Sequence, residues 1–232
     1  MGAIVAVIIL DLIVMAVYAP LLSPQYPLKQ SVTRRLTPPG ARYLLGSDQI
    51  GRDILSRIIW GSRISLWVGI IAVGLGTTSG AVLGLISGYW GGKIDLVIQR
   101  LMDVLMSFPA LILAIAVMAV LGTSITNVMI AIAVVIAPGA SRIVRGSVLS
   151  AKENLYVEAA RVLGCRNGRI LLLHILPNVT APIIVIATIG LGNAILAEAS
   201  LSFLGLGTPP PDPSWGGMLS GASRQYLERA PW

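Results

Sequence analysis

The sequence predicts an all-α, polytopic membrane protein, a bundle of apolar helices joined by polar connections. Three observations carry this. Of the 232 residues, 55% are hydrophobic and 12% are charged, about half the charged share of a soluble domain. Mean hydropathy is +0.83. Apolar runs recur at lengths that cross a bilayer, which takes about 20 residues of helix. A bilayer offers the backbone no water, and the runs are too long for barrel strands, so the spans are helices. Five are expected. The net charge of +7 would suggest nucleic acid in a soluble chain; here it points to loops beside anionic lipid, with no nucleic-acid partner. The single cysteine, Cys165, excludes an internal disulfide. The first apolar run has no basic start and no small-residue cleavage site, so it reads as a span rather than a signal peptide.

In chain order, residues 1–18 hold the first span, Gly2 to Tyr18, with Asp11 near its middle. A carboxylate at the bilayer centre costs about 2.5–3.5 kcal/mol on insertion scales. Asp11 is expected to face protein, take up a proton, or sit near an interface. Residues 19–63 form a loop, rich in proline and polar residues and reinforced by Pro38-Pro39-Gly40, then an amphipathic helix from Leu45 to Arg63. Ser47 or Asp48 is its expected N-cap. Asp48 with Arg52 and Asp53 with Arg57 are its expected i,i+4 pairs. The second span covers Ile64 to Ser87. Gly76, Gly80, Gly84 and Gly88 recur every four residues, so a neighbouring helix can approach closely. Gly88-Tyr89-Trp90-Gly91-Gly92 turns the chain. Gly92-Lys93 is not a phosphate loop, because Ile94 stands where Ser or Thr is needed and Ser87 where the first glycine belongs. The third span runs from Leu101 to Leu121 with Asp103 and Pro109 in its first half, and Pro109 should kink it. The fourth covers Ile125 to about Val144, with a bend expected at Pro138-Gly139. The fifth covers Val179 to Leu201 and carries Asn193 and Glu198. Two readings of Glu198 stand level: it lines a substrate path, or it bonds a neighbouring helix.

Between the last two spans lies a polar block, Tyr156 to Pro177, with sequence YVEAARVLGCRNGRILLLHILP. Glu158, Ala159 and Ala160 favour helix, Gly164 ends it in a left-handed C′ conformation, and a second run from Arg169 stops at Pro177. Arg161, Arg166 and Arg169 form a basic face; Leu155, Val162, Leu163 and Ile170 form an apolar one. Such a block is shaped to dock onto something outside the membrane. Its Glu-Ala-Ala, Gly and Leu-Pro spacing resembles the EAA signature of ABC-importer permeases, and the whole chain resembles the dipeptide/oligopeptide/nickel permease family. The match extends to Gly46-Ser47-Asp48 with Gly51-Arg52-Asp53 and Ser56-Arg57, to Asp103 with Phe108-Pro109, to the run from Glu198 to Gly207, and to Pro213-Ser214-Trp215-Gly216. His174 replaces the usual isoleucine three residues before the proline, as in the peptide branch.

The resemblance implies a type I ABC-importer permease. The family has six spans and a cytoplasmic leader, so this sequence is expected to lack the last span and to be a fragment. Residues 19–63 are then extracytoplasmic, and their amphipathic helix either contacts the binding protein or serves as a structural lid. Residues 64–232 form the core domain, with a cytoplasmic coupling loop at 151–177. The positive-inside rule does not decide orientation: with the block inside, eight Lys and Arg lie inside and nine outside. The coupling residues implied are Glu158, Ala159, Ala160, Gly164 and Pro177; Asp103, Asn193 and Glu198 are candidates for the substrate path. The chain carries no nucleotide motif, nucleophile–base set or metal-ligand spacing, so it is not expected to be an enzyme or to bind a cofactor. ATP and magnesium belong to partner subunits. The partners implied are membrane lipid, a second homologous permease, two ATP-binding subunits and an extracytoplasmic solute-binding protein, at a bacterial or archaeal inner membrane. The alternative is a proton-coupled secondary transporter using Asp11, Asp103 and Glu198, which leaves the EAA block unexplained. A channel lacks support, since no filter-like segment or acidic ring is seen.

Overall fold

The computed structural model describes residues 2–223 and 229–232. Its helices are α1 (Gly2–Val17), α2 (Ala19–Leu22), α3 (Ile54–Trp90), α4 (Gly92–Met106), α5 (Ala110–Leu121), α6 (Ile125–Ala151), α7 (Leu155–Val162), α8 (Asn167–Arg169), α9 (Leu176–Phe203) and α10 (Trp215–Ser223). A π-helical turn, Ile170–Ile175, joins α8 to α9. Among the described residues the one β feature is an isolated bridge between Ser47 and Asp53. The expected all-α class is what the chain adopts.

The chain packs as two compact units. One comprises Met1–Gly69, Leu121–Val128 and Ile195–Trp232; the other comprises Ile70–Val120 and Met129–Ala194. Among the described residues, three unbroken helical stretches are long and apolar enough to cross a membrane: Ile54–Trp90, Ile125–Ala151 and Asn167–Phe203. At 1.5 Å per residue α3 is about 55 Å long, well beyond the roughly 30 Å hydrocarbon core. By the same measure the 16 residues of α1 reach only about 24 Å. The expected third span is instead two helices, α4 and α5, bent by 96° at Ser107–Pro109. Pro109 cannot donate the hydrogen bond that would carry α4 onward, so the expected kink is a full break.

Contacts inside each unit show that this bent pair crosses the membrane. In the second unit an added Cβ at Gly76, Gly80, Gly84 and Gly88 would fall within 3.0 Å of the carbonyl oxygens of Ala133, Ala137, Ser141 and Arg145 in turn. Both rows climb together, so α3 and α6 run parallel, and the chain between them has to return across the bilayer. The first unit agrees. Trp215 Nε1, beyond α9, donates to the Ile58 carbonyl at the start of α3 (3.0 Å). An even number of crossings therefore separates those two points, and α3, α6 and α9 supply only three. The glycine repeat is thus an intrachain seam built from the i,i+4 rows of both helices.

Several sequence expectations need correction. The stretch from Leu45 to Asp53 is a stapled turn, not the start of an amphipathic helix. Asp48 Oδ1 accepts from the Ile50 and Arg52 amides (3.0 and 2.9 Å), and Oδ2 accepts from Arg52 Nε (2.6 Å). These local bonds compete with helix. Gly51 sits at φ +78°, where an added Cβ would fall 2.0 Å from the Ser31 carbonyl oxygen. Helix α3 starts at Ile54, capped by Asp53, whose Oδ2 accepts from the Ser56 amide (2.9 Å) and hydroxyl. Neither Ser47 nor Asp48 is the cap. Arg57 turns to Asp48 (3.8 Å) instead of Asp53. Pro138 lies inside a continuous α6. Pro177 does not stop a helix either: α9 runs through it, and the preceding π turn shifts the hydrogen-bond register so that the Leu176 amide bonds the Leu171 carbonyl. Asp11 is exposed on α1.

Candidate functional site: the α6–α9 block and two polar clusters

The block after α6 is short helix held down by one face. Val157 and Ala160 of α7 and Ile170, Leu171 and Ile175 of the π turn are buried together with Ala81 and Leu85 of α3, Val144 and Val148 of α6 and Val179 of α9. The end of α7 is a Schellman turn. Gly164, at φ +78°, donates to the Arg161 carbonyl (2.9 Å), and the Cys165 amide reaches back to the Ala160 carbonyl (3.0 Å). This left-handed position follows the sequence expectation. Cys165 packs against the buried cluster. Tyr89 at the end of α3 donates to Asn167 Oδ1 (2.9 Å), and Lys152 Nζ donates to the Gly88 carbonyl (3.1 Å).

The outward face is unusual for so well anchored an element. Leu155, Val162 and Leu163 are 82%, 82% and 81% exposed. Glu158 and Ala159 are exposed beside them, as are Gly164, Arg161, Arg166, Arg169 and Pro177, while Ala160 is buried. The apolar face expected from the sequence therefore divides: Ile170 goes inward and the other three go outward. Apolar groups kept at a helix surface and rimmed by charge mark an interaction face. His174, at the place where the family pattern departs, lies in the π turn with its Nδ1 enclosed.

Glu198 is enclosed between α3 and α9. It is 1% exposed. Ser65 of α3 donates to its Oε2 (3.0 Å), and Ser202, one turn on, donates to its Oε1 (2.7 Å). Gly216 at the start of α10 sits so close that a Cβ would fall 2.3 Å from the Ala199 carbonyl oxygen. The Glu198–Gly207 and Pro213–Gly216 motifs thus form one buried knot with the start of α3. Glu198→Ala should lower stability by about 1–3 kcal/mol, since it strands the hydroxyls it joins. Glu198→Gln, which keeps an acceptor and adds a donor, should stay near native. Thermal unfolding in detergent checks both.

The second unit carries a charged cluster that sequence reasoning treated only through Asp103. Asp95 and Arg145 form a two-point pair, Nε to Oδ1 and Nη2 to Oδ2, each 2.5 Å. Ser87 also donates to Asp95, and Gln99 Nε2 donates to Ser87 Oγ (3.0 Å). Asp103 pairs with Arg142. The two ion pairs, with Gln99, Leu96 and Arg100, line a cavity of about 460 Å³. The signal was present in the sequence: Asp95, Gln99 and Asp103 lie four apart on one face of α4. Asn193 is exposed on α9. Among the described residues no three His, Cys, Asp or Glu gather as a metal site.

With that geometry in hand, comparison with known proteins is specific. Residues 80–227 match the family described as binding-protein-dependent transport system inner membrane component. The chain is 48% identical over 226 residues to the dipeptide transport system permease protein DppC of Alkalihalophilus pseudofirmus, covering 97% of this chain and 74% of that protein. It is 44% identical to the dipeptide transport system permease protein of Haemophilus influenzae, covering all of this chain and 80% of that one. A solved structure of the MetNI methionine ABC transporter, described as inward-facing, superposes with a TM-score of 0.52 at 20% identity, over 66% of this chain and 76% of that one. That likeness shows a shared fold. The seam, the block and the knot are thus parts of an ABC-importer permease, and the chain belongs to the family of binding-protein-dependent transport system inner membrane components.

Proposed function

We propose that this multi-pass inner-membrane chain is the permease subunit of an ATP-driven importer for di- or oligopeptides. In this reading the block at 151–177 carries motion from ATP-binding subunits into the bundle. The observation that supports it best is the outward trio Leu155, Val162 and Leu163 around Glu158, on a helix whose other face is locked to α3, α6 and α9. An element fixed on one side and greasy on the other transmits force from a docked partner. Glu158 and Ala159 meet that partner. Ala160 roots the helix, Gly164 sets the turn, and Pro177 lies where the block passes into α9. ATP and magnesium act on two partner subunits, and this chain has no catalytic role. A second homologous permease completes the path, and a solute-binding protein delivers peptide to the outer side, where residues 19–63 lie. ATP shifts the bundle between inward- and outward-open states because the docked subunits bind those states unequally.

Peptide specificity is carried over from the named dipeptide-permease relatives. The test is uptake of labelled dialanine into vesicles holding the assembled importer and its loaded binding protein. Uptake should require internal-side ATP and should persist when an ionophore collapses the proton gradient. Uptake without ATP that dies with the gradient would contradict the reading.

A further inference from the structure

We infer that the charged cavity between α4 and α6 is a transit site for a zwitterion, a free-ended peptide, which it holds by exchanging partners with the Asp103–Arg142 ion pair. The inference rests on the peptide-permease reading above.

The two ion pairs in the cavity differ in kind. Asp95 and Arg145 meet at two points and share Ser87, and their side chains are only 18% and 33% exposed. That pair is a fixed wall. Asp103 and Arg142 meet through one oxygen and one nitrogen, with side chains 42% and 47% exposed. A half-exposed single contact holds weakly. Arg100 lines the same cavity and has no ion-pair partner among the described residues. Three guanidinium groups against two carboxylates leave one positive charge over.

A peptide with free ends fits this imbalance. Its carboxylate takes Arg142 from Asp103 and also reaches Arg100. Its ammonium takes the released Asp103. One ion pair and one lone cation become two ion pairs, with Arg100 engaged as well. The peptide carries no net charge, so no net charge enters the membrane domain, where an uncompensated charge is costly. A simple anion satisfies Arg100 and Arg142 but strands Asp103, and a peptide blocked at both ends does neither. The volume of about 460 Å³ lies within the range of small-molecule sites.

The test uses the assembled importer, purified without nucleotide. Cys165 is the chain's one cysteine, so Cys165→Ala with Leu96→Cys places a single thiol on the cavity wall, at a position 63% exposed. A charged maleimide should label it. Dialanine at about ten times its half-protection concentration should slow labelling about tenfold. N-acetyl-dialanine amide and inorganic phosphate should not. Arg100→Gln and Arg142→Gln should each remove the protection by dialanine. The inference fails if the introduced thiol does not label, if dialanine gives no protection, or if phosphate or the blocked peptide protects equally. Retention of the ATP-binding subunits in the same preparation separates the two readings: lost subunits contradict the permease reading itself, while retained subunits without protection contradict only the site.

Discussion

Replacing Gly80 by leucine is expected to break the α3–α6 seam and to give a large loss of stability. A Cβ there would lie 2.4 Å from the Ala137 carbonyl oxygen and 2.8 Å from the Ala140 Cβ. The first obstacle is backbone, so no side-chain rotation relieves it. Overpacking a close-packed contact costs about 1–3 kcal/mol, and more where the backbone has to move. At the neighbouring seam positions, Gly76 and Gly84, a Cβ would also meet backbone, at 2.8 and 2.5 Å, so the helices cannot slide to make room. Gly74 is the internal control. It lies on the same helix with nothing within 4 Å of an added Cβ, and Gly74→Ala should be neutral or stabilise by up to about 1 kcal/mol through helix propensity. Thermal unfolding of the two variants in detergent should diverge sharply. Equal stability would show that α3 and α6 do not meet along this seam.

Placing a charge on the outward face of the block is the second large effect. Leu163 is 81% exposed and contributes nothing to the buried cluster, so Leu163→Glu should leave the permease folded. If the face docks a partner, Leu163 sits among the apolar anchors of that interface, and loss of one such anchor typically costs about 2 kcal/mol or more. That corresponds to a fall in affinity of about thirtyfold. Glu158→Arg with Gly164→Val acts on the same face by two routes. It reverses the charge beside the trio, and it forces a β-branched residue into φ +78°, a conformation such residues avoid. The Schellman turn that orients Leu163 is then lost. Leu163→Glu guards against the objection that the double variant merely unfolds the block.

Much of this architecture was legible in the sequence because single residues carry strong local constraints. The four-residue glycine spacing announced a close helix approach, and the structure identifies α6 as the partner. Gly164 announced the end of α7 by its backbone freedom alone. Other features were hidden because a tertiary or local bond outweighs propensity. The Asp48–Arg52 spacing fits a helix equally well, and only the carboxylate's bonds to backbone amides turn it into a staple. Pro177 reads as a stop, yet a π turn ahead of it absorbs the missing donor. Leu155, Val162, Leu163 and Ile170 read as one apolar face, whereas only Ile170 faces the core. The sequence pattern counts apolar residues; it does not say which of them a separate subunit is left to cover. The α4–α6 cluster is hidden in the sequence for the same reason, since the pairing of Asp95 and Asp103 with Arg145 and Arg142 arises only where α4 lies against α6.

Co-purification of the ATP-binding subunits with this chain in detergent tests the coupling role most directly, comparing the native sequence with Leu163→Glu and with Glu158→Arg, Gly164→Val. The native block should retain the subunits and both variants should lose them, with Gly74→Ala behaving as native. Retention by both variants at the native level would contradict the assignment of the α6–α9 block as the coupling element.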